Sequence, residues 1–198
     1  MADAIVVLRK NYFTMENSNL FFDLSEQEML ALYKTMTHLT EVRRDCVVER
    51  DDGIDLDAWL TLLLQQWYAE LLTTAPVEWL PVEDVSADVT VTTDGHGVVT
   101  ATVPPQCVRP VEWRLEGWHT SVTSFMSPQD PLVKLQLNPW TRGNACRPAA
   151  IDHGDHLVLY SVPPESVPVV TLARCVVRPA DGHYRFHQAA LSTLPPIG

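Results

Sequence analysis

The chain has 198 residues, enough for one domain or two small ones, and its 46% hydrophobic and 20% charged content excludes a disordered polypeptide. A chain of this length buries about 70% of its unfolded surface, so folding requires neither a metal nor a disulfide. The net charge of −11 argues against sequence-independent DNA binding, which needs a basic face to displace counterions.

Charge and proline divide the chain in nearly the same place. Residues 1–103 carry 18 Asp/Glu against 6 Lys/Arg, residues 104–198 carry 7 against 8, and all 15 prolines fall at or after Pro76. A proline-free acidic first third and a proline-studded remainder predict two architectures. The apolar run Ala4–Leu8 is too short for a secretory leader or a membrane span. Cys46, Cys107, Cys146 and Cys175 are widely spaced. Together these features predict a soluble chain made in a reducing cytoplasm, with free thiols.

Taken in chain order, Ser25 and Glu28 form a capping box ahead of an apolar stripe at Met29, Tyr33 and Met36. Neither Gly nor Pro interrupts Glu26–Arg50, which predicts one long helix broken at Asp51-Asp52-Gly53. A second helix is predicted from Asp55 or Asp57, with Leu60, Leu63, Leu64, Trp67, Tyr68, Leu71 and Leu72 on a wide apolar face. The short connection predicts an αα-hairpin, ended by Pro76 and Pro81.

From Ala87 the hydrophobic period changes to two. Ala87–Thr92, the turn Asp94-Gly95-His96-Gly97 and Val98–Val103 predict a β-hairpin. Further strands are expected at Val111–Trp118, Ser121–Phe125, Leu132–Leu137, His156–Val162 and Val169–Val177, with a short helix closing the chain over Tyr184–Leu194. The expected fold is α+β: an N-terminal helical hairpin in a mainly helical segment 1–82, then an antiparallel β-sandwich or barrel in a β-rich domain 83–198.

Chemistry-bearing residues are sparse. Asp152-His153-Gly154-Asp155-His156 has metal-ligand chemistry, with Cys146 near in sequence, but it equally matches a hairpin turn. Cys175 with His183 or His187 would be a nucleophilic pair, against which Cys175 lies in an apolar run. Asp51, Asp52, Asp55 and Asp57 resemble a calcium loop whose glycine and final glutamate are out of register. Trp113, Trp118 and Trp140 with Arg109, Arg114, Arg142 and Arg147 suit base stacking, or else strand core and loop arginines. With no phosphate loop, dinucleotide fingerprint or nucleophile elbow, an enzyme is not expected, and neither is a cofactor.

One resemblance goes further. In order, the chain carries Arg109-Pro110-Val111, Leu115-Glu116-Gly117-Trp118, Val122-Thr123-Ser124-Phe125, Lys134-Leu135-Gln136-Leu137-Asn138-Pro139, Arg142-Gly143-Asn144, Arg147-Pro148 and Leu157-Val158-Leu159-Tyr160-Ser161. This order resembles the β-domain of ring proteins from the neck of crAss-like tailed bacteriophages, over about Pro104–Val177. The resemblance implies a structural virion protein without catalytic residues. It would assemble with itself into twelve-membered rings near the portal protein and neighbouring ring or tail proteins, joining capsid to tail. DNA would pass through the channel without specific binding.

In such an assembly Trp140, Arg142 and Arg147, in the loop Asn138–Arg147, are expected to contact a neighbour, because Trp and Arg are enriched at interface hot spots. The acidic tip Asp51, Asp52, Asp55 and Asp57 would either line the channel or dock on a basic partner. The alternative is a soluble metal- or ligand-binding module, or an enzyme, built on the β-domain.

Overall fold

The computed structural model describes residues 20–37, 55–162 and 167–196. It is a mixed α+β protein of two compact units, one made of Met1–Leu80 with Asp181–Gly198, the other of Pro81–Ala180. Among the described residues no helix is long and apolar enough to cross a membrane.

In the first unit, β1 (Phe21–Leu24) leads into α1 (Glu26–Met36), whose N-terminus carries the expected capping box. The Glu28 amide donates to Ser25 Oγ (3.4 Å) and the Ser25 amide to Glu28 Oε2 (2.9 Å). The helix closes at Thr37, short of the predicted Arg50; the Thr37 amide makes the last bond of the ladder to the Tyr33 carbonyl, which also accepts from the Thr37 hydroxyl. The expected break at Asp51-Asp52-Gly53 lies outside the described residues. Helix α2 (Leu56–Thr74) starts at the predicted cap, with Asp55 Oδ1 accepting from the Asp57 and Ala58 amides. Lys34 near the end of α1 meets Asp57 at the start of α2 (2.7 Å), and Glu26 accepts from Gln65 (3.0 Å).

The chain's end belongs to this unit. Tyr184–Leu194 is not the expected helix: β9 (Tyr184–His187) pairs antiparallel with β1, and a 3-10 helix follows at Gln188–Thr193. The open edge of β1 supplies backbone partners that a weak helical period in the sequence does not reveal. Met29, Tyr33, Leu60, Leu64, Leu72 and Phe186 are fully buried. Trp67 meets Phe186 edge-on at 5.4 Å and donates to Thr193 Oγ1 (3.0 Å). Tyr68 donates its hydroxyl proton to the Arg185 carbonyl (3.1 Å), and burial pushes that hydroxyl's pKa up to about 12.

The second unit holds two antiparallel sheets. One has the order β2-β8-β5, from β2 (Val82–Asp84), β8 (Val170–Val177) and β5 (Cys107–Leu115). The other runs β3-β4-β7-β6, from β3 (Thr90–Thr93), β4 (Val98–Thr102), β7 (His156–Tyr160) and β6 (Ala149–Asp152). Val99, Leu157 and Leu159 of one sheet share a core with Trp113, Ala173 and Cys175 of the other, consistent with a β-sandwich.

The hairpin expected from residue 87 forms over β3 and β4, after a 3-10 turn at Ser86–Asp88. Two expected strands do not form. Val122 makes only an isolated bridge to Trp113, because the chain leaves the sheet after two backbone bonds. Leu132–Leu137 contains instead the one-turn helix α3 (Val133–Gln136). Asp130 starts that turn, its carboxylate accepting from the Leu132 amide (2.8 Å), and the Val133 and Leu135 amides donate back to the Asp130 and Leu132 carbonyls (3.0 Å each).

Candidate interaction surface

The loop from Asp130 to Arg147 is built from its own hydrogen bonds. Gln136, only 8% exposed, accepts the Gly143 amide on its Oε1 (2.8 Å), drawing the two limbs together. Thr141 Oγ1 donates to the Leu135 carbonyl (2.6 Å), and Asn138 accepts the amides of Trp140, Thr141 and Arg142. Gly143 closes the base: a Cβ there would lie 2.7 Å from the Arg147 carbonyl oxygen and 3.0 Å from the Ala149 nitrogen. Such close backbone approach admits only glycine.

Gln136 is turned inward, and the loop's large apolar side chains are turned outward. Trp140 is 94% exposed, and Leu132, Leu135 and Leu137 are exposed beside it in sequence. Trp113 and Trp118, by contrast, are buried, and the Trp118 indole donates to the Ser161 carbonyl (3.1 Å). A three-tryptophan stacking surface therefore does not form.

The predicted contact residues have different surroundings. Arg142 folds back on its own unit, donating from Nη1 to the His96 carbonyl (2.8 Å) with its guanidinium 5.7 Å from the centre of the Tyr160 ring. Arg147 is exposed, and its amide closes a turn on Asn144. Asp55 is the cap of α2 and Asp57 pairs with Lys34, while Asp51 and Asp52 lie outside the described residues. The exposed leucines escape sequence reasoning because their spacing imitates a strand. Pro131 and Pro139, which bracket them, are the signal against a central strand.

The other constellations have local explanations. Asp152–His156 is the β6–β7 turn: Gly154 has φ +92°, and its amide donates to Asp152 Oδ1 (2.8 Å). His156 is hydrogen-bonded to Asp155 (2.6 Å) and stacks on His153 at 4.5 Å, and the hydrogen bond to His156 holds the Asp155 carboxyl below its usual range. Among the described residues no group of three or more His, Cys, Asp or Glu is arranged to hold a metal ion. His183 is paired with Asp23 (2.7 Å) and His187 accepts the Ala189 amide (3.1 Å).

Cys175 has Cys107 as its partner. Their shared hydrogen bond, aided by burial, pushes the Cys107 thiol pKa well up, while the Cys175 thiol is lowered by the proton it accepts. The buried Trp113 indole N–H lies beside the Cys175 sulfur, a weak acceptor, and has no stronger one.

No protein-family model matches the chain, and no match is found among curated proteins.

Proposed function

We propose that the chain is a structural ring component of the neck of a tailed bacteriophage, assembling with itself around a DNA channel between portal and tail. In this reading it is a virion protein made in the host cytoplasm. It has a helical hairpin ahead of its β-sandwich and performs no catalysis.

The observation that carries the reading is the loop Asp130–Arg147, which holds Trp140 almost wholly in solvent with three exposed leucines around it in sequence. Exposed apolar surface anchored by an aromatic marks a contact surface, and contact is what an assembly protein supplies. The order of motifs from Arg109 to Ser161, which resembles ring proteins of crAss-like phages, gives that contact its setting.

Negative-stain imaging of the purified chain, alone and mixed with its portal, tests the reading. Rings with a central opening are the expected result. A chain that forms no ring in either sample and does not bind the portal overturns it.

A further inference from the structure

Two of the exposed apolar faces carry opposite charge. The first is on α2, where Leu56, Trp59 and Leu62 follow one another at three-residue intervals and are 36%, 47% and 63% exposed. Asp55 sits one turn before Trp59, and α2 itself carries Asp57 and Glu70 and no Lys or Arg, with Lys34 of α1 paired to Asp57 (2.7 Å). The second is the Trp140 loop. From Pro131 to Ile151 it carries Lys134, Arg142 and Arg147 and no carboxylate, with Lys134 and Arg147 exposed.

A tryptophan among leucines with an acidic rim thus has a counterpart with a basic rim on the same polypeptide. Either face set against its own copy would bring like charges together, which is unfavourable across an interface. Set against each other, both apolar surfaces are covered and the rims match.

We infer that the Trp140 loop of one chain docks on the Trp59 face of a second copy. The contact is heterologous: each chain gives one face and receives another, so chains add head to tail and close into a ring when the rotation permits. The inference rests on the ring reading above and names the surfaces that would make the ring.

Mass photometry of the full chain, with Trp59→Gln and Trp140→Gln variants, tests it. Both tryptophans are substantially exposed, so the variants should keep the wild-type melting temperature. Lys134→Glu/Arg147→Glu, which spares both tryptophans, provides a second disruption of the same contact. The wild type should form oligomers larger than dimers, weakened by added salt. Each variant alone should associate at least about 30-fold more weakly, as expected for loss of a hot-spot aromatic.

An equimolar mixture of the two tryptophan variants should form heterodimers and nothing larger, because one intact pair of faces remains. A monomeric wild type overturns the inference, as do variants that oligomerise like the wild type or a mixture that stays monomeric. If rings still form from both tryptophan variants, or a monomeric chain still joins the portal, these two faces are wrong while the ring reading stands. Absence of both self-association and portal binding removes the two together.

Discussion

Trp140 and Arg142 are two residues apart and do opposite things. The tryptophan is in solvent, so Trp140→Ala should change stability by no more than about 0.5 kcal/mol. The arginine fastens the loop to the β3–β4 turn through the His96 carbonyl and covers Tyr160. Its replacement by alanine should cost about 1–3 kcal/mol, the range for a charged hydrogen bond with a cation–π contact. Urea unfolding of both variants checks the contrast, and equal midpoints would refute it.

Asp94 is held by the amides of its own turn. Hydrogen bonds from the amides of His96 (2.7 Å) and Val98 (3.1 Å) hold its carboxyl below the ordinary 3.8. A depressed carboxyl contributes stability that is present in full above the unfolded value and is lost as pH falls through the folded one. Asp94→Asn should therefore lower the urea midpoint at neutral pH, with the gap to wild type closing below pH 3.8. A gap independent of pH would show that the charge is not involved.

Among elements, the β3–β4 hairpin shows how local rules and close packing combine. Gly95 and Gly97 both have positive φ, at +73° and +88°. A Cβ on Gly95 would meet nothing within 4 Å, whereas one on Gly97 would lie 2.8 Å from the Val162 carbonyl oxygen. Gly95→Ala should cost only the left-handed penalty of about 1–2 kcal/mol. Gly97→Ala adds a clash with backbone and should cost distinctly more, or push the chain at Val162 aside. Thermal melts of the two variants decide the matter, and equal losses would mean that the contact at Val162 gives way freely.

For the whole molecule, the order of the chain and the order of the units differ. The first unit is discontinuous: β1 has β9 as its only ladder partner among the described residues, and Tyr184 and Phe186 are core residues from the far end of the sequence. A chain truncated at Ala180 should lose the cooperative unfolding of this unit. Residues 81–180, whose sheets and core lie within that span, should unfold cooperatively when expressed alone. Calorimetry of the two fragments measures this. A fragment 1–180 that retains two full transitions would show that β9 is dispensable.

The features that could be read from the sequence are those whose energetics lie within a few residues. The Ser25–Glu28 box, the Asp55 cap, the hairpin about Asp94–Gly97 and the turn at Asp152–His156 are each satisfied by groups two to four positions away, so local residue types suffice to specify them. The change of hydrophobic period marked the passage from helices to sheets for the same reason.

Tertiary structure decided whatever depended on a distant partner. Strand β9 exists because β1, some 160 positions earlier in sequence, offers it an edge. Leu132–Leu137 has strand spacing, but Gln136 and Leu135 are tied to Gly143 and Thr141, so it coils into a loop and leaves its leucines in solvent. Three tryptophans that look alike in sequence became two core residues and one exposed side chain, because burial is conferred by surfaces that only folding brings together.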